Sequence, residues 1–277
     1  MNRTDIQLIV SDIDGTILNS EHQVTQELKE TLEAVTKASI PFVLTSARSP
    51  LAMAHIRDEL GLETPLAAYN GAYISEYQTE KELFSLPVDF TEANKVIQLA
   101  NRRYPEVAIN IYAGNRWLVP KRNPWVQLEE EITQMKAEEV ELHRFLAEEP
   151  AIHKVLFIGD QEPLEQLERS IGNLVLLESA QYRSKENYLE FTHKKVSKAL
   201  ALEQVAAYYQ VDLAHTLAIG DHDNDVSMIG AAGVGVAMGN ASEAARKKAD
   251  FITADNNHNG VAVVLKQVLQ GKQERSE

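Results

Sequence analysis

The sequence predicts an α/β protein whose core is a doubly wound parallel sheet interrupted by an α+β insertion. Short apolar runs end abruptly in small polar residues, as in "LIVSD" (8–12), "PFVLTS" (41–46) and "TLAIGD" (216–221). Stretches with apolar residues at helical spacing separate such runs, which is the pattern of strands joined by crossover helices. From about Leu83 to Glu190 the rhythm changes to hairpins and alternating strands, the mark of a second unit set inside the first.

In chain order, the strand "LIVSD" is followed by a helix in "TQELKETLEAVTKASI", where Leu28, Leu32 and Val35 share one face. A second strand, "PFVLT", leads to the helix "SPLAMAHIRDELGL", closed by Gly61, and then to the strand-like "TPLAAYNGAYI", with Asn70-Gly71 as a tight turn. The insertion reads as helix "TEANKVIQLANRRY", a hairpin about Gly114-Asn115, helix "WVQLEEEITQM", strand "IHKVLFIG", helix "PLEQLERSI" and strands "NLVLLES" and "NYLEFTH". The outer rhythm then returns with helix "KALALEQVAAYYQV", strand "TLAIGD", helix "NDVSMIGAAG", strand "GVGVAMG", helix "SEAARKKA" and strand "DFITA". A last helix, "NGVAVVLKQVLQ", precedes a polar tail, "GKQERSE", expected to fray. The expected division is a Rossmann-like core of residues 1–83 and 190–277 and an inserted α+β unit of 84–189, with linkers near 81–86 and 187–194.

Composition bounds the partners. Of 277 residues 44 % are apolar and 25 % charged, enough for an ordinary soluble core. The formal net charge of −14 argues against nucleic acid or an anionic membrane as partner, and a small anionic substrate would need its own local positive charge. With no cysteine there are no disulfides or thiolate zinc sites. The first apolar run is too short for a secretory segment and no stretch is long enough to span a bilayer, so a cytoplasmic location is expected. Oligomeric state is not legible.

In a parallel sheet, loops and helix N-termini converge at the carboxyl ends of the strands. Asp12 and Asp14, Thr45 and Ser46, Lys198 and Asp221 all fall at that edge. Asp12 and Asp14 raise a question, since carboxylates this close repel when ionised. A hard divalent cation with oxygen ligands, such as Mg²⁺, answers it, and would let a phosphate approach the same acidic edge. One aspartate could then attack phosphorus, its neighbour serve as general acid and base, and Lys198 and Ser46 hold the phosphate oxygens. Taken singly, Ser46 reads as a helix N-cap, Lys198 as a solvated first-turn residue, and Asn224 and Asp225 as caps of the next helix. The loop "GDHDNDVSMIGAAG" is not a calcium loop, because Val226 stands where the glycine belongs and Ala232 where the glutamate belongs. "GVGVAMGNA" lacks the order and context of a dinucleotide loop and reads as close packing and a turn.

The ordered set "DIDGT" (12–16), "LTSAR" (44–48), "VSKALAL" (196–202) and "GDHDND" (220–225) resembles the four motifs of the haloacid dehalogenase superfamily of aspartyl-phosphate phosphohydrolases. "YNGAYI", "GVGVAMGNA" and the late "NGVA" are similar to its Cof-like sugar-phosphatase branch, so the resemblance spans nearly the whole chain. It implies a Mg²⁺-dependent phosphatase of small phosphorylated metabolites, with Asp12 as nucleophile and metal ligand and Asp14 as acid/base, its backbone carbonyl on the metal. Ser46, Lys198, Asn224 and the backbone of Ile13 would contact the phosphate. Asp221 would complete the metal site, Asp225 would act through water or support the loop, and Thr16 and Arg48 would assist. The insertion would be a cap that selects substrate. Serine at 46, where the family has threonine, keeps the hydroxyl; Ala47 and Ala199 stand where glycine is usual. The rival expectations are a phosphomutase, in which a sugar hydroxyl intercepts the same aspartyl phosphate, and a phospho-accepting signalling module.

Overall fold

In the computed structural model, which describes residues 5–79 and 81–276, one unit is built from the chain up to Phe84 and from Ser197 onward, and a second from Ser85–Val196. The first begins with β1 (Leu8–Ser11), α1 (Gln26–Lys37), β2 (Phe42–Thr45), α2 (Pro50–Glu59), β3 (Leu66–Ala68), β4 (Tyr73–Ser75) and β5 (Glu82–Ser85). The second holds α3 (Phe90–Arg103), β6 (Ala108–Ala113), β7 (Arg116–Val119), α4 (Pro124–Thr133), β8 (Glu138–Glu139), α5 (Leu142–Leu146), β9 (Lys154–Ile158), α6 (Gln161–Gly172), β10 (Ser179–Lys185) and β11 (Tyr188–His193). The first unit resumes with α7 (Lys198–Tyr209), β12 (Thr216–Gly220), α8 (Val226–Ala231), β13 (Val234–Ala237), α9 (Glu243–Lys248), β14 (Phe251–Ile252) and α10 (Gly260–Ser276).

The first unit's sheet runs β14-β13-β12-β1-β2-β3-β4-β5. It is parallel from β14 to β3 and turns antiparallel at β4. Hydrophobic burial explains the order: Leu8, Ile9 and Val10 are wholly buried, so β1 takes the middle, flanked by β2 from the N-terminal half and β12 from the C-terminal half. Thr25, Ser49, Ser197 and Ser242 each cap a helix by accepting from the backbone N–H three residues on, which fixes where α1, α2, α7 and α9 leave the sheet edge. Ser49, not Ser46, caps α2.

The inserted unit's sheet runs β10-β11-β9-β6-β7-β8. Alternation along β6, β9 and β11 sends Ile109, Ile111, Val155, Phe157, Leu189 and Phe191 into one cluster with Val96 and Ile97 of α3, Phe145 of α5 and Leu164, Leu167 and Ile171 of α6. Among the described residues, no helix is long and apolar enough to cross a membrane.

Three sequence expectations are corrected. "NLVLLES" alternates as a strand should, with Leu174 and Leu176 packed inward and Val175 (80 % exposed) and Leu177 (67 %) outward. It forms no strand, because the carboxylate of Glu92 takes the N–H groups of Leu177 (2.5 Å) and Glu178 (3.3 Å) that a ladder would have used; the strand starts at Ser179. The insertion also ends later than residue 189: β11 pairs with both β9 and β10, so residues 190–193 are held in the second unit's sheet, and the division falls after Val196. The tail expected to fray continues α10 to Ser276, and the Lys272 ammonium donates to the Ala38 carbonyl at the end of α1. The short β8 and α5 carry too little periodicity to be read from sequence.

Candidate active site

Asp12 follows β1 directly, and its N–H extends the β1–β12 ladder by donating to the Ile219 carbonyl (3.0 Å), so its side chain starts from a fixed, buried base. The Ile13 carbonyl then accepts from Ile17 (2.9 Å) and Leu18 (3.0 Å), closing a tight loop. Gly15 sits in that loop at φ +77°, where a Cβ would lie 2.3 Å from Asp221 Oδ2, so only glycine allows the loop and Asp221 to meet. Thr16 Oγ1 donates to Asp221 Oδ1 (3.1 Å).

A second close approach sits at the end of β12. A Cβ on Gly220 would lie 2.4 Å from Asp225 Cγ. Glycine there lets the Asp225 carboxylate tuck under the strand end, where Oδ2 accepts from the N–H groups of Asp221 (3.0 Å) and His222 (2.9 Å). Asp225 Oδ1 accepts from Lys198 Nζ (2.5 Å), and the same ammonium donates to Asp12 Oδ1. Lys198 is 1 % exposed, so the reading of it as a solvated first-turn residue is set aside. Its position at the start of α7 is what carries it into the cluster.

Carboxylate oxygens of Asp12, Asp221 and Asp225 lie within 4.8 Å of one another. Burial pushes the Asp12 carboxyl well above its ordinary value; Lys198 opposes this, and Asp225 and Asp221 add to it. Burial and the charge of Asp225 likewise raise Asp221. Burial alone would lower Lys198, but Asp12 and Asp225 lift it to about 12, so it stays charged. Three carboxylates therefore face one ammonium, and burial first, with the neighbouring carboxylates adding to it, makes Asp12 reluctant to ionise. A divalent cation with hard oxygen ligands fits this donor set and removes that reluctance. Asp12 and Asp221 can ligate directly, whereas the Asp225 oxygens are already taken by three donors and can reach an ion through water.

The other expected residues lie on neighbouring loops of the same unit. Asp14 is half exposed and held in a two-pronged ion pair by Arg48, Nε to Oδ2 (2.8 Å) and Nη2 to Oδ1 (2.6 Å), so its carboxylate stays outside the trio. Ser46 is buried and its hydroxyl accepts from the Arg48 N–H (3.2 Å). The Ile13 side chain is core. Asn224 donates to Asn70 Oδ1 (3.1 Å). Two participants escape sequence reasoning. Asn70 reads as a plain turn residue, and Asn240, in a loop that reads as packing, donates to the Gly15 carbonyl (2.8 Å) and to Asp221 Oδ2 (3.3 Å). The available signal is that both come after a strand at the functional edge.

A doubly wound sheet with an acidic cluster at its carboxyl edge defines an α/β protein of the kind that binds ligands at that edge. The chain belongs to the haloacid dehalogenase-like hydrolases, whose family model it matches over residues 9–265, and within them to the Cof-like branch; it is a phosphoric monoester hydrolase. A Haemophilus influenzae protein provisionally described as a phosphatase is 32 % identical, the match covering 94 % of this chain and 97 % of that one. The 5-amino-6-(5-phospho-D-ribitylamino)uracil phosphatase YwtE of Bacillus subtilis is 28 % identical over 96 % of this chain and 99 % of its own. A solved haloacid dehalogenase-like hydrolase from Bacteroides thetaiotaomicron is similar with a TM-score of 0.85 at 29 % identity, covering 95 % of this chain and 99 % of that one.

Proposed function

We propose that the chain is a Mg²⁺-dependent, cytoplasmic phosphatase that hydrolyses small sugar or polyol phosphates through an aspartyl phosphate on Asp12. The observation that carries the reading is the buried Lys198 ammonium shared by Asp12 and Asp225 with Asp221 beside them, a cluster left too negative by its own residues. Asp12, Asp221 and the Asp14 backbone carbonyl would hold Mg²⁺, with Asp225 acting through water or supporting the loop, and the ion would supply charge neutralisation of the phosphate and of the carboxylates.

Asp12 attacks phosphorus through a carboxylate oxygen, the ester P–O bond breaks, and Asp14 gives its proton to the departing alkoxide. Water then attacks the same phosphorus, Asp14 takes the water proton, and the bond to Asp12 breaks to release phosphate. Lys198, Ser46, Asn224 and the Ile13 N–H hold the non-bridging oxygens as charge shifts. Arg48 aims Asp14, and its fork must loosen when Asp14 carries a proton, since a carboxylic acid no longer offers two equal acceptors. The inserted unit is assigned the role of a cap that recognises the organic group and controls water. A phosphate on a ribityl chain is the substrate of the Bacillus relative, which supports polyol and sugar phosphates as the class.

Phosphate release from a panel of sugar, polyol and nucleotide phosphates with Mg²⁺ tests this. Asp12→Asn is expected to cut turnover by about a thousandfold or more while the protein still melts cooperatively. Near-normal release by that variant would remove Asp12 as nucleophile.

A further inference from the structure

Residues 69–71 all hold positive φ, which is unfavourable above all for the bulky Tyr69. Tyr69, a buried aromatic, lies at φ 52° and Asn70 at φ 55°, with Gly71 next at φ 96°. Two consecutive non-glycine residues in the left-handed region cost free energy and persist only where the surroundings impose them. Here the surroundings are three of the loops that bear the candidate phosphate contacts. The Asn70 N–H donates to the Ser46 carbonyl (2.8 Å), and the Tyr69 N–H to the Arg48 carbonyl (3.0 Å). Gly71 lies against the start of α7, where a Cβ would come 2.9 Å from the Ser197 carbonyl oxygen and 2.8 Å from Ala201 Cβ, next to Lys198. The Asn70 side chain accepts from Asn224 Nδ2 (3.1 Å).

The geometry points to Asn70 as a positioning residue for phosphate binding: it orients the Asn224 amide through its own side chain while its backbone ties that amide to Ser46. The proposal rests on reading Ser46, Lys198 and Asn224 as phosphate contacts. Asparagine suits the position because it tolerates the left-handed region and carries an acceptor of the right length. Fixing one Asn224 amide hydrogen on Asn70 leaves the rest of that amide aimed by the turn and not free to rotate. The strain at Tyr69 is then the cost of bringing three loops to one point.

A double-mutant cycle on affinity for inorganic phosphate, measured by calorimetry in Mg²⁺, isolates this role. Asn70→Gly removes the amide and relaxes the backbone, so its melting temperature should equal or exceed that of the parent protein. Asn70→Gly and Asn224→Ala are each expected to weaken phosphate binding about tenfold, and the double variant by about the same tenfold. Asn70→Ala provides a second truncation and should give the same coupling. Losses that multiply to about a hundredfold, or unchanged affinity in Asn70→Gly, overturn the proposal. A protein that obeys the cycle but releases no phosphate from any ester would overturn the proposed function and leave Asn70 in its role.

Discussion

Glu92 in the inserted unit and Asp12 in the other are both almost wholly buried, 6 % and 5 % exposed, yet their carboxyl groups respond in opposite directions. Burial alone would raise Glu92, but Ser179 and the N–H groups of Leu177 and Glu178 outweigh it and hold Glu92 below its ordinary value. Burial likewise raises Asp12, and there the single ammonium of Lys198 is outweighed by burial together with Asp225 and Asp221. The inserted unit treats its other buried acids as it does Glu92: Glu130 is bound by Arg122, Lys136 and the Ala137 N–H, and Glu129 accepts from the Tyr188 hydroxyl. Satisfied carboxylates hold a fold together; an unbalanced cluster weakens it and is kept for what it can bind.

That contrast can be broken most directly at Lys198. Lys198→Met leaves Asp12 and Asp225 facing each other without a cation, and is expected to stop turnover and to cost about 3–5 kcal/mol in denaturant unfolding. Adding Asp225→Asn should recover part of that loss, and a Lys198→Met protein as stable as the parent would erase the distinction between the units.

A test of the inserted unit uses His153, which is buried with Nδ1 accepting from the Gly114 N–H and Nε2 bonded to the Ser85 hydroxyl, so the ring is held neutral. Burial lowers it from 6.5 to about 4. A folded value below the unfolded one means the unfolded chain binds the extra proton. Stability from this group is therefore complete above about pH 6.5, falls on acidification, and is fully lost below about pH 4, a change of about 3 kcal/mol. Urea titrations across that window should show the decline, and His153→Gln should flatten it.

The smallest expected effect is that of the metal. Mg²⁺ at a hundredfold excess over its Kd should raise stability by about 2.7 kcal/mol over the EDTA-treated protein. Asp221→Asn should abolish most of that gain, whereas Glu129→Gln in the inserted unit should leave it intact. A melting temperature indifferent to Mg²⁺ would mean that the acidic trio does not bind the ion.

The residues that end the central strands are legible because a buried parallel strand writes itself as an unbroken apolar run, and the polar residue closing such a run must lie at the functional edge. Asp12 and Asp221 stand out that way, whereas Lys198 opens the helix α7 and closes no strand. Long-range side-chain capture is not written in local periodicity. Nothing near Leu177 announces that Glu92, 85 residues away in sequence, takes its N–H, so "NLVLLES" alternates like a strand without being one. Asn70 and Asn240 stay hidden for a related reason: Asn beside Gly signals a turn, and only the fold reveals what the turn points at.

The placement of β1 between β2 and β12 has a consequence for how the protein is made. Thr16 and Asp221 are partners across 205 residues, so at about 5–20 residues per second a ribosome needs roughly 10–40 s after delivering the first to deliver the second. Throughout that interval the emerging chain leaves the backbone N–H and C=O groups on one edge of β1 unpaired, while the inserted unit, a single continuous stretch, is completed first. Nascent chains stalled before β12 are thus the form in which this polypeptide is most open to chaperones and to aggregation.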